Sequence, residues 1–139
     1  MPTLSINLHL PLPPGINQQY ATVNGRRVLS QASRTYKRAV VRHVQRLRRS
    51  GTIPEEFVAQ AQKGYLALFI DFYFQTPLRR DLDGGLKIAQ DAICQGLGID
   101  DRRVVDIHLV KRVDPQHPRI EVELEALPEW TFAWTQPAR

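Results

Sequence analysis

Residues 65–101 read YLALFIDFYFQTPLRRDLDGGLKIAQDAICQGLGIDD, and the predictions for the rest of the chain depend on this stretch. From Tyr65 to Gln75 apolar side chains occupy both alternating faces, which predicts a central β-strand. From Gly84 to about Gln95 apolar residues recur at helical spacing, and Gly96 and Gly98 predict the end of that helix. The stretch therefore predicts a strand, a charged loop and a helix in succession.

Shorter periodic patterns lie on either side of this stretch. Alternating apolar residues at 4–10 predict a strand, and Asn24-Gly25 predicts the turn of a hairpin. The other predicted elements are a basic amphipathic helix at 34–49 capped by Ser30 or Ser33, a short helix at 55–63, and strands around 105–109 and 120–124. A length of 139 residues is typical of one domain, here with a core at about 4–125 and an aromatic tail at 126–139 that we expect to make packing or dimer contacts.

Charge is divided unevenly along the chain. The net charge is +5, yet residues 1–54 carry nine Arg and Lys and no Asp or Glu, whereas residues 55–139 carry ten basic and fourteen acidic residues. This division is typical of a phosphate-binding surface next to a metal-binding one, although a solvated basic helix gives the same composition. Cys94 is the single cysteine, which excludes an internal disulfide, and no apolar run could span a bilayer, so we expect a soluble cytoplasmic protein.

The charged loop contains the residues that most strongly indicate chemistry. Asp81 and Asp83 flank Leu82, and Lys87 follows four residues after Asp83. Two carboxylates this close repel each other unless a cation lies between them, and hard divalent cations prefer oxygen ligands. The alternative is helix capping, but a cap accounts for one aspartate only and leaves Lys87 in a first turn where the helix dipole disfavours a cation. We therefore predict a metal-dependent phosphoryl-transfer site in a protein that binds nucleic acid.

A second acidic pair, Asp100-Asp101, follows the predicted helix. Turn formation alone would explain this pair, since aspartate is common in loops. Because the helix reverses the chain, we expect the pair to approach the first two carboxylates, so that three or four of them hold one or two Mg²⁺ ions for an in-line displacement. We expect Asp91 to pair with Lys87 at the helical spacing of four.

Basic residues that could follow a phosphodiester backbone occur in three places. They are Arg26 and Arg27 in the hairpin, Arg34, Lys37 and Arg38 on the basic helix, and Arg79 and Arg80 directly before the acidic motif. The sequence contains no pattern typical of a base-reading recognition helix, so we expect nucleic acid to be recognised mainly by its shape.

Several of these motifs resemble the RusA family of Holliday junction resolvases. The most specific part is Asp81-Leu82-Asp83 with Lys87, Asp91, and Asp100-Asp101 followed by Val104-Val105. Supporting parts are Leu12-Pro13-Pro14-Gly15-Ile16-Asn17 and Gly25-Arg26-Arg27-Val28-Leu29-Ser30 running into Tyr36-Lys37. The resemblance covers about residues 4–125 in the right order.

The resemblance implies an α/β (α+β) fold, in which one domain with a mixed sheet of about four strands packs with two main helices and forms a homodimer. It also implies a Mg²⁺-dependent endodeoxyribonuclease, with Mn²⁺ as a substitute ion, that cuts four-way DNA junctions in recombination and repair by paired symmetric incisions and is often carried by prophages. Asp81, Asp83 and Asp101 would be the metal-binding carboxylates, with Asp100 as a further ligand. Lys87 would be the catalytic lysine that steadies the phosphate or the leaving oxygen.

One departure from the family pattern leaves alternatives open. Gly84 stands where the family commonly has Asn directly after the Asp-Leu-Asp triplet, so a side-chain hydrogen bond is missing from the loop. A non-catalytic relative that only binds branched DNA is therefore a second hypothesis. A phosphotransferase for small molecules is a third, but a mononucleotide does not require so wide a basic field.

Overall fold

The structure is a computed structural model, and it describes residues 3–15, 18–78 and 80–135. In these ranges the chain forms β1 (Leu4–Leu10), β2 (Tyr20–Val23), β3 (Arg26–Leu29), α1 (Gln31–Ser50), α2 (Glu55–Lys63), β4 (Tyr65–Phe74), α3 (Leu86–Leu97), a 3₁₀ turn (Asp101–Arg103), β5 (Val104–Val113) and β6 (Arg119–Leu127). Four strands form a mixed sheet in the order β1-β6-β4-β5, and β2 pairs with β3 in a separate hairpin. The expected α+β fold, with a sheet of about four strands, is confirmed.

The parallel pair β4 and β5 determines where the acidic motif lies. Strand β4 pairs antiparallel with β6 on one side and parallel with β5 on the other, from Leu66 opposite Val104 to Phe74 opposite Val113. A parallel pair needs a crossover connection, and α3 supplies it. The loop before α3 is therefore at the carboxyl end of β4. The 3₁₀ turn after α3 is at the amino end of β5, which is at the opposite end of this parallel pair.

One face of the sheet carries the core. The alternate residues of β4 from Leu66 to Phe74 are all buried on this face, and they lie beside the buried alternate residues of β6 and β1. Helices α1 and α3 pack against each other, and α2 contacts β6, β4 and β1. The opposite face of the sheet carries the polar residues of the same strands, as expected for a sheet covered on one side.

Local chemistry explains where α1 begins. Ser30 has extended backbone dihedrals, and its Oγ accepts the Ser33 backbone N–H at 3.1 Å, so Ser30 is the N-cap. The helix therefore begins at Gln31 and not at Arg34, where the apolar pattern alone had placed it. The predicted hairpin turn is confirmed, because Asn24 and Gly25 both have positive φ values, of 52° and 75°.

The end of α3 differs from the prediction in one residue. Gly98 is the left-handed C-cap, with φ 68°, but Gly96 lies inside the helix and does not stop it. A Cβ at position 96 would come within 2.7 Å of the Cβ of Val44, which is fully buried on α1. Gly96 therefore lets α1 and α3 approach closely. Among the described residues, no helix is long and apolar enough to cross a membrane.

Candidate metal and nucleic-acid site

The acidic motif occupies the loop between β4 and α3. Asp81 and Asp83 are exposed, whereas Leu82 between them is half-buried and packs against the core. Residues 82–85 form turns, in which the Gly84 N–H donates to the Asp81 carbonyl at 3.3 Å and the Leu86 N–H donates to the Asp83 carbonyl at 3.1 Å. The two carboxylates are thus on the outside of a loop whose backbone forms two hydrogen-bonded turns.

The structure does not support the capping alternative for these aspartates. The N-cap of α3 is Gly85, and no side chain makes a capping hydrogen bond there. The first turn of α3 contains no acidic residue either. Asp81 and Asp83 are therefore not used to satisfy the orphan N–H groups of the helix, and their carboxylates face solvent.

Lys111 of β5 holds the motif loop from one side. Its Nζ donates to the Pro77 carbonyl at 3.0 Å and to the Arg80 carbonyl at 2.9 Å. Sequence reasoning missed this residue. The signal was available, because Lys111 follows Ile107 and Leu109 on the apolar side of β5, where a lysine interrupts the alternation.

The N-terminal segment holds the loop from the other side. Arg80 Nη2 donates to the Pro13 carbonyl at 2.7 Å, and its guanidinium is 5.3 Å from the centre of the Phe74 ring. A Cβ at Gly85 would come within 2.2 Å of Pro13 Cγ, so only glycine permits this close approach. Gln19 Nε2 donates to the carbonyls of Pro14, at 3.0 Å, and Gly84. Sequence reasoning also missed Gln19, which carries no periodic signal.

Arg80 is consequently half-buried, and burial lowers the pKa of its guanidinium. It was predicted as a phosphate contact, and that role stays a prediction, although the structure gives Arg80 a structural bond to the N-terminal segment. Arg79, the other predicted contact beside the motif, lies outside the described residues.

Lys87 is on the first turn of α3 and pairs with Asp91, as expected from their spacing. Its Nζ is 3.4 Å from an Asp91 carboxylate oxygen, and the Lys87 side chain is 73% exposed. The pair is weak, because an exposed ion pair at this spacing typically contributes about 0.3–0.5 kcal/mol. The Asp91 carboxylate therefore holds Lys87 only weakly.

Asp100 and Asp101 lie at the far end of α3, which corrects the expectation that they approach Asp81 and Asp83 within one chain. The twelve residues of α3 span about 18 Å, so the turn after the helix cannot reach the loop before it. In the described part of the chain, no three His, Cys, Asp or Glu side chains come close enough together to hold a metal ion.

The two members of this second pair differ in their contacts. Asp100 caps the 3₁₀ turn, accepts the Arg102 N–H at 2.9 Å and forms an ion pair with the Arg102 guanidinium at 2.7 Å. These hydrogen bonds from Arg102 lower the pKa of Asp100 to about 2. The turn interpretation therefore accounts for Asp100, whose carboxylate is engaged by Arg102, whereas the half-buried Asp101 carboxylate has no hydrogen bond or ion pair among the described residues.

Cys94 has no nucleophilic role at this site. Its thiol is buried in α3, and burial, together with the negative charges of Asp101, Asp91 and Asp100, raises the pKa of Cys94 to about 12. The thiol therefore stays protonated at neutral pH, and the thiolate is the reactive form.

The predicted nucleic-acid contacts lie on the hairpin and α1. Arg26 and Arg27 are exposed on β3, and the Arg27 guanidinium is 4.2 Å from the centre of the Tyr20 ring. Arg34 and Arg38 are exposed on α1, and Lys37 is half-buried. Arg34 Nη1 also donates to the Leu29 carbonyl at 3.1 Å, which ties the helix to the hairpin.

A cleft of about 1010 Å³ lies between the first turns of α1 and the acidic motif. Its walls come from the proline-rich loop 11–15, from α1 residues such as Thr35 and Tyr36, and from the loop that carries Leu78 and Asp81. Leu78 is 94% exposed. Asp81 is therefore accessible to a ligand that lies along the first turns of α1.

Comparison with known proteins agrees with this geometry. Residues 11–125, which include the proline-rich loop, the hairpin, α1 and both acidic pairs, match the family model described as endodeoxyribonuclease RusA. Among curated proteins, none matches the chain. The matched segment is well over half of the 139 residues. The chain therefore belongs to the RusA family of endodeoxyribonucleases, a membership that implies the nuclease activity of a Holliday junction resolvase.

Proposed function

We propose that this protein is a Mg²⁺-dependent, structure-selective endodeoxyribonuclease that resolves Holliday junctions by paired symmetric cuts during DNA recombination and repair. The observation that carries the proposal is the family match over residues 11–125, which includes every element of the acidic and basic surfaces. A carboxylate loop that faces solvent beside a basic helix supports it, because such a loop can meet a phosphodiester that the helix attracts.

The chemistry of the available donors suits Mg²⁺. This ion prefers oxygen ligands, and it usually binds through one or two carboxylates together with substrate phosphates and several waters. Asp81 and Asp83 offer two exposed carboxylates from one loop, and neither is used as a helix cap. When bound, Mg²⁺ supplies Lewis-acid stabilisation of the charge that develops on the scissile phosphate.

Lys87 has a separate role in this proposal. Its ammonium group projects from the first turn of α3, four residues after Asp83, and only the weak Asp91 pair holds it there. When DNA binds, Lys87 exchanges this partner for a non-bridging phosphate oxygen or the leaving oxygen and stabilises its negative charge. Before DNA binds, the Asp91 carboxylate keeps the ammonium group beside the motif loop.

A homodimer completes the carboxylate set in our proposal, because Asp101 is too far from Asp81 and Asp83 within one chain. Strand β5 is at the end of the main sheet and pairs there only with β4, so its other edge is open among the described residues. An open edge is a template for pairing with a second copy. Ile107, Val110 and Val113 are exposed on this strand, together with the charged side chains of Lys111 and Arg112.

Antiparallel pairing of two β5 strands would bring the separated carboxylates together. A two-fold axis through Leu109 sets Val105 of each copy opposite Val113 of the other, and Asp106 opposite Arg112. Each strand then begins where the partner strand ends. Asp101 precedes β5 by three residues, and Lys111 near the end of β5 holds the motif loop, so each motif would face the partner's Asp101. The dimer would also supply two equivalent sites for a junction of near two-fold symmetry.

Cleavage of a labelled immobile four-way junction in Mg²⁺, run beside a linear duplex of the same sequence, tests the proposed function. We expect paired symmetric cuts in the junction and none in the duplex. An Asp83→Asn variant controls for contaminating nuclease and should leave the junction intact. Tight junction binding without cuts in either Mg²⁺ or Mn²⁺ would instead favour a non-catalytic branched-DNA-binding protein.

A further inference from the structure

Gln19 is a buried polar side chain that connects three parts of the site. It is 3% exposed, and it lies between the proline-rich loop and the hairpin. Burying an amide is unfavourable unless its hydrogen-bonding groups find partners, so a buried glutamine indicates a built contact. Its backbone carbonyl accepts the Ser30 N–H at 2.8 Å and the Ser33 hydroxyl at 2.9 Å, which fixes Gln19 to the start of α1.

The side chain of Gln19 points from this anchor to the acidic motif. Its Nε2 amide donates one hydrogen bond to the Pro14 carbonyl at 3.0 Å and another to the Gly84 carbonyl. Gly84 directly follows Asp83, and its own N–H bonds to the Asp81 carbonyl. The Gln19 amide therefore binds the carbonyl of the residue directly after Asp83, one candidate metal ligand. That residue lies in a turn that is closed by a hydrogen bond to the carbonyl of Asp81, the other candidate ligand.

This hydrogen bond is important because the backbone of the loop can adopt many conformations. Gly84 and Gly85 are adjacent, and glycine has the greatest backbone freedom of any residue. Position 84 is glycine, so that position cannot contribute a side-chain hydrogen bond of its own. Gln19 supplies an external hydrogen bond to the same residue, from a neighbour 65 positions away in the sequence.

We propose that Gln19 is a positioning residue that fixes the loop carboxylates of Asp81 and Asp83 for metal binding. This inference rests on the proposed function for its catalytic consequence, but the restraint of the loop is a property of the folded chain. Gln19 touches neither substrate nor metal in this proposal. It acts on them through the Gly84 carbonyl.

A Gln19→Met variant tests the proposal, since methionine keeps most of the side-chain volume and removes both N–H donors. Mn²⁺ affinity, measured by electron paramagnetic resonance on the free protein, should weaken about 10-fold, which is the usual effect of losing a residue that orients a metal ligand. Deuterium exchange should become faster in the segment 81–86. The Mg²⁺ concentration for half-maximal junction cleavage should rise by a similar factor, with junction affinity in the absence of metal within about 2-fold of wild type.

An Ile53→Val variant is the control for a general loss of stability. Ile53 is 1% exposed and lies in the loop after α1, far along the chain from the motif, and loss of one methyl group there lowers stability without touching the loop. Unchanged Mn²⁺ affinity and exchange in Gln19→Met would overturn the proposal, as would equal losses in Ile53→Val. If wild type does not cleave junctions but Gln19→Met still weakens Mn²⁺ binding, the proposed function fails and the positioning role stands.

Discussion

A mixing experiment tests whether the catalytic carboxylates come from two subunits. Asp83→Asn and Asp101→Asn should each abolish cleavage, because every site in either homodimer then lacks one ligand. In a heterodimer of the two variants, one site contains both substitutions and the other contains neither. The intact site joins the motif loop of the Asp101→Asn subunit to the partner's Asp101, so mixing two inactive proteins should restore activity.

The size of the recovery follows from the arrangement. Random exchange at equal concentrations makes about half of the dimers heterodimers, and each heterodimer has one intact site out of two, so strand cleavage should return to about one quarter of the wild-type rate per protomer. The product should be single nicks and not paired cuts, because one site cuts one strand. Nicks and resolved duplexes separate on denaturing and native gels of the same reaction.

A mixture of Asp81→Asn with Asp83→Asn is the matched control. Both substitutions lie on the same loop, so every heterodimer site in that mixture lacks one loop carboxylate and no activity should return. Subunit exchange is verified by co-purification of two differently tagged variants. If exchange is demonstrated and Asp83→Asn mixed with Asp101→Asn is as inactive as either alone, the two-subunit site is wrong. Asp101 would then act within its own chain after a rearrangement.

Two further predictions concern DNA binding and packing. Replacing the three cations of the first turns of α1 with glutamine should make the salt dependence of junction binding less steep. The slope of log affinity against log salt concentration should fall in magnitude by up to about 3, since each lost phosphate contact contributes roughly 0.9. The control variant Lys63→Gln on α2 should leave this slope unchanged. These cations are Arg34, Lys37 and Arg38. Gly96→Ala should destabilise the fold by about 1–3 kcal/mol in urea denaturation, because its Cβ would meet Val44, and an unchanged midpoint would contradict the close contact of α1 with α3.

Sequence periodicity predicted the individual elements because their causes are local. The apolar pattern of β4 has a local cause, because the strand pairs with β5 on one side and β6 on the other and has one face covered by helices. The Asn24-Gly25 turn follows from two residues that tolerate positive φ, and the start of α1 from the Ser30 cap, one of two serines that the sequence offered. Each of these features is decided within a few residues of chain.

Long-range contacts could not be predicted in the same way. The acidic motif was visible in the sequence, and its role as a site stays a prediction, but the expectation that Asp100 and Asp101 return to it did not take into account the rise of α3 along its axis. That Lys111 and Gln19 hold the motif loop depends on strand order and on the path of the N-terminal segment, which no local pattern encodes. Lys111 was at least visible as a charge in an apolar alternation, whereas Gln19 looked like any polar loop residue.

The distribution of charge on the folded chain limits how DNA can approach. The face of the sheet that the helices leave uncovered carries five carboxylates, from Asp71, Asp106, Glu121, Glu123 and Glu125. Arg112 pairs with Asp71 at 3.0 Å, and Arg119 is 3.7 Å from Glu121, so part of this charge is balanced. Among the residues that the structure describes, this face still offers no continuous basic path. We therefore expect a phosphodiester to approach from the opposite side, where the hairpin and α1 are basic and the cleft leads from α1 to Asp81. Antiparallel pairing of two β5 strands about an axis perpendicular to the sheet would keep both basic surfaces on that same side. One junction could then contact both sites of a dimer without meeting an acidic face.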